Sequence, residues 1–218
     1  MYLIRLSVRT LPLMVALFAL TMVAWAQAEA FLVSGIKEFE DSSRKFLDWA
    51  LSIQQDNGAY LHMAFNKNQP AFLHTIAYTI QGMLESGILL KEDRYIQSAN
   101  KAALVLNELF KKDNTLWGTY TETWVPDSSF QCLTGMVQMS ICYYKLYQIT
   151  HNQEFASIFA SLNRQVQELT IISEEAGLNG GIRGSFPVWG SYSRLNFPNW
   201  AAKFYLDALF LEKEMCGC

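Results

Sequence analysis

The sequence has no run of basic residues longer than two and no basic stripe. Its 17 Lys and Arg against 20 Asp and Glu leave a net charge of −3, which gives no electrostatic footprint for nucleic acid. It has four cysteines and no Cys-x-x-Cys, so it carries neither a zinc-ribbon spacing nor a redox motif. Cys132 and Cys142 fall in one expected helix, about 15 Å apart along its axis, and cannot bridge each other. Cys216 and Cys218 sit in a terminal tail where a disulfide is compatible with an exported protein.

What is abundant is apolar and aromatic. The 218 residues are 51% hydrophobic, with 14 Phe, 10 Tyr and 6 Trp, enough for one domain with a large core. Aromatics beyond the needs of a core often line pockets for sugars or greasy ligands. At the N-terminus, Arg5 and Arg9 precede an uncharged run from Leu11 to Trp25. Small residues at 24, 26 and 28 follow, so residues 1–28 read as an export signal peptide and the protein as exported, periplasmic or secreted. A retained membrane anchor is the competing reading, though the run is short for a full span.

The rest of the chain repeats. Asp56-Asn57-Gly58-Ala59-Tyr60, Leu116-Trp117-Gly118-Thr119-Tyr120 and Asn179-Gly180-Gly181-Ile182 each open a unit of one apolar helix and one amphipathic helix. The reference glycines, 58, 118 and 181, are spaced by 60 and 63 residues. A period that long, carrying two helices, predicts stacked helical hairpins. Residues 71–89, about 130–149 and 199 to about 215 are apolar nearly all round and are expected to be inner, buried helices. Residues 35–55, 92–112 and 152–170 have a polar face and are expected outside. The expected order is outer, inner, repeated three times over residues 35–215. Short connections make neighbours antiparallel, so the inner helices run the same way and their N-termini share one rim. The long aromatic loops precede the inner helices and belong to that rim.

Gln55-Asp56-Asn57-Gly58-Ala59-Tyr60 resembles the Gln-x-x-Gly-x-aromatic repeat of the α/α-toroid superfamily, which includes terpenoid cyclases, protein prenyltransferase β subunits and six-hairpin glycosidases and lyases. His74-Thr75-Ile76-Ala77-Tyr78, Cys132-Leu133-Thr134-Gly135 and Pro198-Asn199-Trp200-Ala201-Ala202-Lys203-Phe204 resemble prenyltransferase-like proteins of bacterial surface-polysaccharide clusters. The resemblance covers about residues 40–212. It implies an all-α fold, an incomplete α/α toroid of about three hairpins where a full ring has five to seven. The cyclase Asp-x-Asp-Asp motif and the prenyltransferase zinc set are absent.

Candidate chemistry gathers on the expected rim. His74, Cys132 and Trp200 hold equivalent places near the starts of the three inner helices. A His and a Cys are too few for zinc, so no metal and no cofactor are expected. Proton transfer on a sugar needs an acid/base pair, or a His and Tyr beside an Arg that clamps a carboxylate. His74, Tyr78 and Glu122 are the candidate catalytic residues. Arg183 and Arg194 are candidate carboxylate clamps, and Trp117, Tyr120, Trp124, Trp189, Tyr192 and Trp200 candidate substrate-binding surfaces. Gln81 and Gln138 are candidate network members, and Lys203 with Asp207 a candidate buried ion pair. The expectation is an exported protein that binds or cleaves a polysaccharide, lyase- or hydrolase-like, with the site at the N-terminal rim. Two alternatives stay open: a non-catalytic scaffold whose ring is completed by a partner chain or homo-oligomer, and a terpenoid or prenyl handler.

Overall fold

The computed structural model describes residues 17–217; the basic start of the expected leader and Cys218 lie outside them. Seven α-helices account for most of the described residues: α1 (Leu17–Ser34), α2 (Lys37–Ser52), α3 (Leu73–Leu90), α4 (Asp93–Asp113), α5 (Leu133–Thr150), α6 (Gln153–Glu168) and α7 (Asn199–Cys216). Each α-hairpin joins an apolar helix to an amphipathic one: α1 packs on α2, α3 on α4 and α5 on α6. The apolar members also pack side by side, α1 on α3, α3 on α5 and α5 on α7. Among the described residues α7 is not packed against α1 as α1, α3, α5 and α7 are packed in succession, so the inner layer is an open arc. Among the described residues no helix is long and apolar enough to cross a membrane.

Local chemistry accounts for the helix ends. α3, α4 and α5 stop where Lys91, Asn114 and His151 take a left-handed conformation and the chain reverses into the outer or loop segment. Asn152 opens α6 by accepting a hydrogen bond from the Glu154 backbone N–H at 3.0 Å. Pro198 lies immediately ahead of α7, where its fixed φ and missing N–H cost nothing. α3 and α5 are buried over nearly their whole surface, while α2, α4 and α6 bury a single stripe.

The structure adds an inner helix ahead of the expected first outer one. Residues 17–28, which the sequence reading assigned to the leader, form most of α1, with Leu17, Thr21, Ala24 and Ala28 buried. The Ser43 hydroxyl of α2 donates to the Ala24 carbonyl at 2.8 Å, and Thr21 donates to the Tyr78 carbonyl of α3. Gly82 lets α3 approach closely, because a Cβ there would stand 2.6 Å from the Thr21 backbone. The described order is therefore inner, outer, repeated three times, ending in the inner helix α7.

Short strands lace the rim. β1 (Ala71–Phe72), β2 (Thr119–Tyr120) and β3 (Pro126–Asp127) form one antiparallel sheet in that order, and β4 (Gln131–Cys132) pairs with β5 (Ser185–Phe186). The segments before α3 and α5 thus pair with the turn of the next unit. The first N–H of the helix continues the pattern: Leu17 donates to His62, Leu73 to Gly118 and Leu133 to Gly184, at 3.0–3.2 Å. That recurrence fixes α1, α3 and α5 in one register and sets their N-termini at one rim.

Candidate functional site

His74 lies in the first turn of α3, only 5% exposed, and Tyr78 follows one turn later on the same face. Their ring centroids are 4.3 Å apart. The loop before α7 brings Tyr192 to 5.3 Å from the His74 ring, and α7 brings Phe204 to 6.0 Å. α5 supplies Gln138, whose Oε1 lies 2.9 Å from His74 Nδ1, while Gln138 Nε2 donates to Gln81 Oε1 on α3 at 2.9 Å. Gly135 makes room for this meeting, since a Cβ there would lie 2.6 Å from the His74 backbone nitrogen. Four segments converge on one imidazole.

Burial controls the protonation of this cluster. Desolvation pulls His74 down to about 4, opposed by the Gln138 hydrogen bond, so the ring is neutral near pH 7. Burial raises Tyr78 and Tyr192 above the ordinary phenol. Cys132, fully buried beside the α5 N-terminus, is pushed up to about 12 by desolvation against the backbone N–H groups of Gly135, His74 and Thr134. Burial thus holds it in the neutral thiol form near pH 7. Among the described residues no group of three His, Cys, Asp or Glu side chains could hold a metal ion.

Tyr192 is held in place over His74. Its hydroxyl accepts from Trp200 Nε1 at 2.9 Å and its carbonyl from the Ser185 hydroxyl at 2.6 Å. Trp200 keeps 46% of its surface exposed and Trp189 keeps 65%, so both present free aromatic faces on the loop and helix around the cluster. Lys203 stands over the Phe204 ring at 4.6 Å and pairs with Asp207 at 2.6 Å. That pair is on the surface, not buried as the sequence pattern suggests.

The other expected site residues lie elsewhere on the rim or serve the scaffold. Trp117 Nε1 donates to Asp113, and the Trp117 backbone N–H donates to the buried Tyr120 hydroxyl. Trp124, also buried, donates from Nε1 to the Asn57 carbonyl. Arg183 donates to the Leu169 carbonyl at the end of α6. Arg194 is exposed on the loop before α7. Glu122 sits in the turn between β2 and β3, with its backbone carbonyl taking a bond from Asn57. It lines a separate cavity of about 900 Å³ together with Asn66, Lys67, Gln69 and Thr121. The 66–69 segment forms a wall because the β1–β2 pairing folds it against the β2–β3 turn. An aromatic ladder links that wall to the cluster: Phe65 meets Phe72 at 5.9 Å, Phe72 meets Tyr192 at 5.4 Å, and Tyr192 meets His74.

This hairpin arc, with loops and inner N-termini on one rim, has known counterparts. The fold is that of the α/α toroids. A GH76 alpha-mannanase from Bacteroides thetaiotaomicron superposes with a TM-score of 0.69 at 16% identity, over 92% of this chain and 52% of that one. A polysaccharide lyase gives 0.70 at 11% identity, over 93% and 62%. A D-mannose isomerase gives 0.71 at 13%, over 92% and 54%. The chain thus spans between half and two thirds of the length of these proteins. No family model and no curated protein matches its sequence.

Proposed function

We propose that the protein acts on a carbohydrate at the N-terminal rim of its inner helices, with His74 as the group that takes a proton from the sugar. The reaction class is lyase- or isomerase-like: proton abstraction from a carbon acidified by a neighbouring carbonyl or carboxyl group. The observation that carries this reading is the convergence of α3, α5, α7 and the loop before α7 on one neutral imidazole, ringed by Tyr78, Tyr192 and Phe204. A neutral imidazole offers a ring-nitrogen lone pair that can accept a proton near pH 7. The exposed faces of Trp189 and Trp200 suit stacking on pyranose rings. Superposition on a polysaccharide lyase and a D-mannose isomerase supports the substrate class through the fold.

Hydrolysis is the less favoured chemistry because it uses two carboxyl groups flanking one bond. Glu122 and Asp127 belong to the β2–β3 hairpin, with Glu122 at the other end of the aromatic ladder, and Asp207 is paired with Lys203. The test is turnover of a panel of uronate-containing polysaccharides and reducing sugars by wild type and His74→Gln. Loss of about 10²–10⁴-fold in rate is expected for the variant. Equal turnover by wild type and variant contradicts the assignment of His74.

A further inference from the structure

We infer that Gln138 and Gln81 form an amide relay that fixes the proton of His74 on Nδ1 and leaves Nε2 as the atom that accepts the substrate proton. The argument rests on the reading of His74 as the proton acceptor given above and names the residues that set it.

The polarity follows from the hydrogen bonds. Gln138 has one carbonyl oxygen and one NH₂ group. It turns its NH₂ to Gln81 Oε1 at 2.9 Å and its oxygen to His74 Nδ1, also at 2.9 Å. An oxygen can only accept, so Nδ1 carries the hydrogen. A neutral imidazole has one N–H, and Nε2 keeps a lone pair. In water, histidine favours the opposite tautomer, with the hydrogen on Nε2. The relay therefore reverses the intrinsic preference. Both amides are buried on inner helices, Gln138 fully, and an amide buried in an apolar layer is costly unless it is bonded. Two such amides in series, ending on one imidazole, make a device with a direction.

The same bond serves the reaction after proton transfer. When Nε2 takes the proton, the bonding pair stays on the substrate as an enolate-type anion, and the ring becomes an imidazolium. Its Nδ1–H still donates to Gln138 Oε1, which stabilises the positive charge in a poorly solvated site. Return of the proton from Nε2 to the neighbouring carbon, with the hydroxyl proton passing from one of the two adjacent sugar oxygens to the other, completes an isomerisation with no other reactant. Gln138 and Gln81 touch no substrate and are positioning residues. The titratable groups around the ring are Tyr78, Cys132 and Tyr192, all raised by burial and neutral at pH 7, with Lys203 across the Phe204 ring.

The experiment is long-range ¹H–¹⁵N correlation spectroscopy of the imidazoles in ¹⁵N-labelled full-length protein, with His74 assigned by its loss in His74→Gln. The wild type is expected to show His74 as the neutral Nδ1–H tautomer, titrating with a midpoint at about 4. Gln138→Leu is expected to lower the Nδ1–H population severalfold. Gln138→Glu, which only accepts, is expected to restore it and to raise the midpoint. A wild-type His74 holding its hydrogen on Nε2 overturns the relay, as does a folded Gln138→Leu chain with the tautomer unchanged. The wild-type spectrum decides the polarity alone, so the test survives a variant that does not fold. If the tautomer is as expected and no sugar is turned over, the relay stands and the carbohydrate reading falls. If sugar is turned over while His74 holds Nε2–H, the reading stands and the relay falls.

Discussion

At the residue scale, His74 links stability and chemistry. Its ordinary value of 6.5 is lowered to about 4 by burial, so below 6.5 the unfolded chain binds a proton that the folded chain resists. The contribution of the neutral ring is fully present above pH 6.5 and is lost as the pH falls through about 4. The shift corresponds to about 3 kcal/mol. Urea unfolding of wild type across this window is expected to show that loss, and His74→Gln is expected to lack it. A variant with the same pH slope as wild type would place the acid sensitivity elsewhere. Much of this cluster was legible in the sequence. His74, Tyr78, Tyr192 and Trp200 stand at the starts of apolar helices or in the loop before one, and the amides Gln81 and Gln138 stand out on apolar helices. Phe72 and Phe204 were not legible as site residues, because a Phe on an apolar helix or strand has the same appearance in a core and in a wall. Trp117 and Trp124 donate their indole N–H groups to Asp113 and to the Asn57 carbonyl, contacts that a sequence pattern does not reveal.

At the element scale, the helices after residue 35 follow their hydrophobic period to within a few residues. The two-residue strands were not foreseen, since β1 to β5 are too short to carry an alternating pattern. They arise from repetition itself: identical loops stacked side by side bring unpaired backbone into reach. α1 was missed for a different reason. An uncharged apolar run at a chain start has the composition of a leader whether or not it docks, and the docking is encoded in Gly82, more than 50 residues away. This makes a sharp prediction. Alanine favours a helix over glycine by about 1 kcal/mol, so Gly82→Ala would stabilise a free helix. With Thr21 backbone 2.6 Å from the new methyl, it is expected instead to destabilise the protein by about 1–3 kcal/mol in urea unfolding. A stabilised Gly82→Ala would mean that α1 is not seated on α3.

At the scale of the whole molecule, the inner helices present their N-termini and their loops along one edge of an open arc. The arc leaves α7 with an inner neighbour on one side only, and Phe210, on its outward face, is 70% exposed. The sequence conveyed the repeat and its inner and outer assignments, and hence the rim. It did not convey which rim residues meet, because that depends on how far each loop folds back: the loop before α7 returns to His74, and the β2–β3 turn carries Glu122 to the cavity instead. The central claim is proton abstraction from a sugar by His74. Its most direct measurement is incubation of the protein in D₂O with the panel of reducing sugars and uronates, reading deuterium incorporation at carbon by mass spectrometry and NMR. The account predicts incorporation with wild type and its loss with His74→Gln. No incorporation from any panel member, or the same incorporation with His74→Gln, would contradict it.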